Sequence, residues 1–467
     1  MGEPQVEMAQ FRGRNASLWQ SAVDQVVAKR NAVSPAASFG IAPRAVHLQR
    51  PRQDDSTIQS SNDLAALLNV GPPGALAAAV PEVAPPSAVA AGLVDTTKFC
   101  SATALRLAEA AIKAHFSGDY TEVSELHAQL DTPFAQCDPK WGEVLATYVA
   151  SRVAAGPIPY RRYSSLSDFV ITDRLPDNAT VVLIADWGTG QPAAKALLAQ
   201  VASQKPDVVI HLGDVYYSGS QSEVQNYFYS IWQASLGIPN VAWGDKLADL
   251  AAKPATFHMP GNHDMYAGGA PYYAVIDMLG QPASYFCLRN SNWQFVTMDT
   301  SLHDSDPATV DDATDVDGLE LIWMKDKVNN AGGRKTILLT HHQLFTRFEK
   351  IGGQALNQNL LPKFQDVLPK LAAWIWGHEH NMVIYQKYQG VLGRCIGHGA
   401  FPVSNRSPYT DNFPDVPLED VHLDADANDF YRHGYVLMKM NGPSANLQYI
   451  QFNADTGTEN VLFEENL

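Results

Sequence analysis

Cysteine is scarce in this chain. The four cysteines, Cys100, Cys137, Cys287 and Cys395, form no Cys-x-x-Cys pair, which excludes a zinc-ribbon or dithiol redox motif. Buried thiols are the expectation, and a Cys100–Cys137 bridge stays open. Positive charge is also short. With 33 basic and 49 acidic side chains the net charge is −16, so electrostatic tracking along nucleic acid is excluded. Long apolar runs are missing as well. Residues 1–30 hold no unbroken apolar core, so no secretory leader is read and a cytoplasmic location is expected. The alanine-rich stretch 71–94 is interrupted by Pro81, Glu82, Pro85 and Pro86, which excludes a membrane span there.

What remains is an ordinary soluble composition, 46% hydrophobic and 18% charged over 467 residues, enough for two domains. Residues 1–165 read as a mainly helical region with a Pro/Ala-rich connector near 71–94, because Leu105, Ala108, Ala111 and Ile112 fall at helical spacing. Asp138-Pro139 likewise suits a helix start before Trp141, Leu145 and Tyr148. No catalytic constellation stands before residue 170. From residue 166 to the end, apolar strands alternate with helical segments such as 193–202 and 319–330. That order predicts an α/β sheet, closed by antiparallel strands at 434–440 and 447–452.

Five short segments carry the chemistry. They are Asp186-Trp187-Gly188, Gly213-Asp214-Val215-Tyr216-Tyr217, Gly261-Asn262-His263-Asp264, Leu338-Leu339-Thr340-His341 and Gly377-His378-Glu379-His380. Each follows an apolar run that reads as a strand, such as 181–184 or 208–212, and so sits where an open α/β sheet presents ligands. Carboxylates, an amide oxygen, a phenol and several imidazoles together suit two adjacent cations clamping a phosphate.

This set resembles the calcineurin-like metallophosphoesterase superfamily, and within it the purple acid phosphatase branch, over roughly residues 168–467. The branch carries a tyrosine three residues after the second aspartate, and Tyr217 stands three after Asp214. General members have Asp-x-His in the first segment, where this chain has Asp186-x-Gly188. The resemblance implies a four-layer α/β/β/α sandwich over residues 166–467 and two metal ions. The first ion would be held by Asp186, Asp214, Tyr217 and His380, and the second by Asp214, Asn262, His341 and His378. Asp214 would bridge ions about 3.5–4 Å apart. His341 is preferred to His342 because strand alternation sends the two rings opposite ways. In relatives a proline follows two residues later, where this chain has Gln343.

A phenolate from Tyr217 favours Fe(III), paired with Zn, Mn or Fe(II). If Tyr217 is only an aromatic wall, or Tyr216 points inward instead, two divalent ions such as Mn or Zn are expected. The implied activity is hydrolysis of a small phosphorylated substrate, by hydroxide generated at the metals and in-line attack. His263 is expected to protonate the leaving group, with Asp264 holding its tautomer. His342, Arg347, His398 and Tyr266 are candidate substrate contacts. A phosphomonoesterase is the leading reading; a phosphodiesterase, including one for cyclic nucleotides, uses the same centre, and a non-catalytic binding module would have lost ligands, none of which is missing. The acidic loop 304–317 lacks the glycine and terminal glutamate of a calcium loop and reads as a solvated lid. Oligomeric state is not legible.

Overall fold

Alternation within the strands sets the layers. In β2 (Thr180–Ile184), Val181 and Leu183 face one core while Val182 and Ile184 face another. In β7 (Lys335–Thr340), Ile337 and Leu339 share the first core and Leu338 turns to a third. The computed structural model describes residues 158–305, 313–405 and 409–467, with Val144, Thr147, Tyr148 and Ser151, four helical residues, before them. The connector near 71–94, the helices expected before residue 140, Cys100 and Cys137 lie outside the described residues. A compact unit runs Ile158–Ser305 and Asp311–Leu467.

Two sheets stack around the first core. One has seven strands: β1 (Val170–Ile171), β5 (Cys287–Arg289), β6 (Trp293–Thr297), β7, β8 (Leu371–Trp376), β10 (Gly393–Ile396) and β9 (Met382–Ile384), in that order. The other has six: β13 (Thr458–Asn466), β12 (Ser444–Asn453), β11 (His433–Asn441), β2, β3 (Val208–His211) and β4 (Ala255–His258). β11, β12 and β13 are antiparallel, as the sequence suggested for the chain's end.

Helices cover both outer faces. Pro192–Ser203 puts Ala194, Leu197, Leu198 and Val201 against the six-stranded sheet, joined there by Ser230–Leu236 and Ala270–Met278. Gly318–Asn329 contributes Trp323, Met324 and Val328 to the far side of the seven-stranded sheet, beside Leu360–Phe364. The result is the expected α/β/β/α sandwich. Strands buried on both faces explain the continuous apolar runs. Truncating a fully buried residue such as Leu183 to alanine removes about 2–5 kcal/mol.

This stacking positions the site. β2, β3 and β4 are mutually parallel, as are β7 and β8. The five motifs lie just past the carboxyl ends of these five strands, so two sheets deliver their loops to one edge of the sandwich. Cys287 and Cys395 are free and buried, matching the thiol expectation for those two. Among the described residues no helix is long and apolar enough to cross a membrane.

Candidate metal centre

The backbone of the five loops is bent to bring side chains inward. Asp186 has φ 54°, Asp214 φ 78° and His378 φ 70°, left-handed conformations that non-glycine residues adopt at a cost of order 1–3 kcal/mol. Such conformations persist where the surroundings over-determine them. All three residues are candidate ligands. The Asp186 amide donates to the Gly213 carbonyl at 3.0 Å, and the His378 amide donates to Asp186 Oδ2 at 2.9 Å.

Close packing of the loops explains the departure at Gly188. Its N–H donates to the Asp214 carbonyl at 3.2 Å, and its own carbonyl accepts from the Tyr216 N–H at 2.9 Å. A Cβ at this place would lie 2.6 Å from the Asp214 oxygen and 2.7 Å from Val215 Cα, so no histidine fits. Gly261 is equally confined: a Cβ there would come 2.0 Å from Asp214 Oδ1.

Asp214 is the common neighbour. Its Oδ1 accepts the His263 amide at 3.1 Å and lies 3.4 Å from His341 Nε2. Asp186, Asp214 and His341 present ligand atoms all within 4.8 Å of one another. His341 Nε2 also lies 3.1 Å from Asn262 Oδ1 and 3.1 Å from His378 Nδ1. The amide of Asn262 is oriented by its Nδ2, which donates to the Tyr266 hydroxyl at 2.6 Å and so turns Oδ1 inward. On the other side, His380 Nε2 sits 3.6 Å from Asp186 Oδ1.

Electrostatics favour a cation here. His341 Nδ1 faces the Leu212 carbonyl at 2.9 Å; donating its proton there leaves Nε2 as a lone pair aimed at the Asn262 oxygen, the Asp214 oxygen and the His378 nitrogen. Several acceptors facing one another need a proton or a metal between them. Burial works against a charged His341, but Asp214 outweighs it, with Asp186 and the Leu212 carbonyl adding, and the group rises to about 9. Burial likewise opposes the charge on Asp214, yet His341 and His263 hold its carboxyl below the usual range. Burial lifts Asp186 well above its ordinary value despite His341. The residues present therefore fit hard, positively charged ligands.

The phenol beside Asp186 is Tyr216, the alternative to Tyr217 that the sequence left open. The Tyr216 hydroxyl donates to Asp186 Oδ1 at 3.1 Å and lies 2.9 Å from His380 Nε2, while its ring packs on His263 and Phe401. Tyr217, the residue selected by the three-residue spacing, gives its amide to Glu223 at 2.6 Å and its carbonyl to His263 Nδ1 at 2.6 Å. Strand alternation does not decide between them, because the chain leaves β3 through the bent Gly213 and Asp214.

His263 is fully buried, its Nε2 3.9 Å from Asp214 Oδ2. Burial lowers its pKa, against the opposing pull of Asp214 and the Tyr217 carbonyl. Asp264, expected to hold the His263 ring, serves the backbone: its Oδ2 accepts from Asp214 N at 2.9 Å and Gly261 N at 2.7 Å, reaching back over the start of the short helix Asn262–Tyr266.

Two other candidate contacts have hydrogen-bond partners outside the ligand cluster. Arg347 binds the 411–416 loop, its guanidinium donating to Asp411 at 2.6 Å and to the Pro414 and Val416 carbonyls. His398 is buried against strand β12, with Nε2 3.3 Å from the Ile450 carbonyl. His342 does come to the site, its ring 4.3 Å from that of His378, held by Thr300 at 2.7 Å and Asp304 at 2.9 Å. Asp304 is thus buried rather than solvated, and Asp317 caps the helix Gly318–Asn329.

The site as built can be set beside known proteins. Residues 179–382 match the calcineurin-like phosphoesterase family. The matched span holds all the candidate ligands, Asp186 to His380, and the calcineurin-like family implies two metal ions. No curated protein matches the chain. Among solved structures, the chain is similar to PhoD, at 11% identity over 63% of this chain and 70% of that one, TM-score 0.43. It is also similar to GAP50, the anchor in the inner membrane complex of Plasmodium, at 13% identity over 62% and 88%, TM-score 0.40. A dimetal phosphatase from Danio rerio is 11% identical over 62% and 98%, TM-score 0.38.

Three residues of this neighbourhood escaped the sequence reading: His211, His258 and Glu223. Both histidines sit at even steps in strands whose alternate positions are apolar core, a signal that an imidazole faces the helices and needs a partner. Glu223 follows the end of the second motif by six residues and gathers the amides of Tyr217, Ser218 and Ser220.

Proposed function

We propose that this chain is a metal-dependent phosphomonoesterase acting on a small phosphorylated substrate, with the purple acid phosphatase-like branch as its nearest pattern. The observation that carries the reading is the convergence of Asp186, Asn262, His341, His378 and His380 around Asp214, acceptor facing acceptor, at the edge of the sandwich.

Asp186, Asp214 and His380 would hold one ion and Asp214, Asn262, His341 and His378 the other, with Tyr216 the phenol beside the first. Two bound cations would supply charge for the phosphoryl oxygens and lower the pKa of a water. A phenolate at Tyr216 suits Fe(III) with Zn, Mn or Fe(II), and a neutral phenol suits two divalent ions. Around them the chain's own groups set the geometry. The Tyr217 carbonyl fixes His263 through Nδ1, leaving Nε2 as the atom that delivers a proton to the departing alkoxide. Tyr266 keeps the Asn262 oxygen turned inward. His342, braced by Thr300 and Asp304, lines the approach beside His378.

His263→Ala tests the assignment. Metal content should be kept and hydrolysis slowed about 10²–10⁴-fold. Alkyl phosphates, whose alkoxides leave poorly, should lose most, and activated aryl esters least. An equal loss on both would assign His263 to charge stabilisation, and a loss of metal would make it a ligand. A panel of mono- and diesters run on the wild type separates the monoesterase from the diesterase.

A further inference from the structure

Two buried histidines stand behind the site, and none of the motifs requires them. β3 and β4 run parallel with His211 opposite His258. Val208, Ile210 and Phe257 occupy the inter-sheet core, so alternation sends both rings to the helix-covered face. There they meet Trp187, Phe228, Trp232 and Tyr272. Both are 0% exposed. An imidazole in such an apolar setting is destabilising unless its nitrogens are engaged.

The nitrogens form a line. The Trp187 backbone N–H points to His211 Nε2 at 3.4 Å. His211 Nδ1 lies 2.9 Å from His258 Nδ1. His258 Nε2 stands 3.3 Å from Asp264 Oδ1, an ion-pair contact without hydrogen-bond alignment, and neither atom has a hydrogen-bond partner. Asp264 Oδ2 then receives the amides of Asp214 and Gly261. A backbone N–H only donates, and that fixes every tautomer downstream. His211 accepts at Nε2 and carries its proton on Nδ1, so it donates to His258 Nδ1. His258 therefore carries its proton on Nε2, the ring nitrogen nearest the carboxylate.

We propose that His211 and His258 are positioning residues: the line from Trp187 through both rings fixes the Asp264 carboxylate, and through it the backbone of Asp214 and Gly261. The inference rests on the phosphoesterase reading above and adds residues that reading does not use. Its force comes from the left-handed backbone of Asp214, which needs surroundings that over-determine it. Asp264 supplies one of those constraints through Oδ2, and the His258 ring stands against its other oxygen. Without His258, the buried Asp264 Oδ1 loses the ring nitrogen that stands nearest it, and the carboxylate can turn.

The test compares His258→Phe, which keeps a ring of similar size without nitrogens, with His258→Gln, which keeps an N–H donor for Asp264. Both are made in the full chain and stripped of metal. Mn²⁺ affinity is measured by calorimetry, hydrolysis of p-nitrophenyl phosphate is followed with Mn²⁺ present, and thermal midpoints are recorded. The Phe variant should bind Mn²⁺ about 10–100-fold more weakly and lose kcat by a similar factor, with KM changed by less than about threefold. The Gln variant should recover most of both. Wild-type Mn²⁺ affinity in the Phe variant overturns the proposal, as do equal losses in the two variants. Should the Phe variant not fold, the Gln variant decides alone: a folded Gln protein that binds Mn²⁺ tenfold or more weakly overturns it. A wild type that neither binds Mn²⁺ nor cleaves the ester overturns the functional reading itself, an outcome distinct from failure of the relay in an active enzyme.

Discussion

Gly261→Ala adds one methyl group and no chemistry, yet the structure gives it a large effect. The backbone at Gly261, φ −97° and ψ 173°, suits alanine, so nothing is lost in conformation. Space is the problem. The new Cβ would sit 2.0 Å from Asp214 Oδ1, 2.5 Å from Asp214 N and 2.7 Å from Asp214 Cγ, where ordinary contact begins near 3.4 Å. The carboxylate must retreat by about 1.4 Å, the difference between those contacts, or the Asp264-held backbone must part. Either movement takes Asp214 away from His341 and the His263 amide. A misplacement of about 1 Å at a reacting centre can slow a reaction about 10²-fold, and here both proposed ions lose their shared ligand. Hydrolysis of p-nitrophenyl phosphate should therefore fall at least about 100-fold, with metal content reduced. Gly318→Ala is the control, since nothing lies within 4 Å of its Cβ at the start of the helix Gly318–Asn329. It should leave the rate unchanged and stabilise slightly. A Gly261→Ala protein with full metal content and a rate within about threefold of wild type would refute the claim that Asp214 is set against Gly261.

Further outcomes follow from the same geometry. In protein loaded with ferric iron, Tyr216→Phe should bleach the phenolate-to-iron absorption and Tyr217→Phe should keep it; the reverse would return the phenol role to Tyr217. His398 is held down to about 4, chiefly by burial, so its folded form binds fewer protons than the unfolded chain. Stability should accordingly fall as pH drops from about 6.5 and level off below about 4, with His398 contributing about 3 kcal/mol of that loss. Thermal midpoints of wild type and His398→Leu across this window measure the share, and identical pH dependence would contradict it. Arg347→Ala should lower the thermal midpoint by releasing the 411–416 loop while leaving KM for small esters unchanged. A raised KM would restore it as a substrate contact.

The layers were legible because strand alternation is a local property: Val181 and Leu183 read as one face whatever lies beyond them. The convergence of the candidate ligands was foreshadowed because each motif follows its strand directly, and parallel neighbouring strands carry their following loops to the same edge. Side-chain direction past a bent loop was not. Gly213 and Asp214 leave the extended conformation before Tyr216, so counting residues from Asp214 does not choose between Tyr217 and Tyr216, whose hydroxyl reaches Asp186. Arg347 and His398 looked like pocket residues by proximity to motifs, but their partners come 64 residues and 52 residues later in the chain. His211 and His258 became meaningful only once β3 and β4 lay side by side. Asp264 was assigned to the nearest histidine in sequence, whereas a capping position in the helix Asn262–Tyr266 draws its carboxylate to backbone amides.

The central claim is that Asp214 is shared by two metal sites. Metal-stripped protein titrated with Mn²⁺ in a calorimeter, alongside Asp214→Asn, tests it most directly. Wild type should bind about two ions per chain. The Asn variant should weaken both binding events, because the substitution removes the charge that each site uses. One ion or none in the wild type, or a variant that loses a single site and leaves the other at full affinity, would contradict the account.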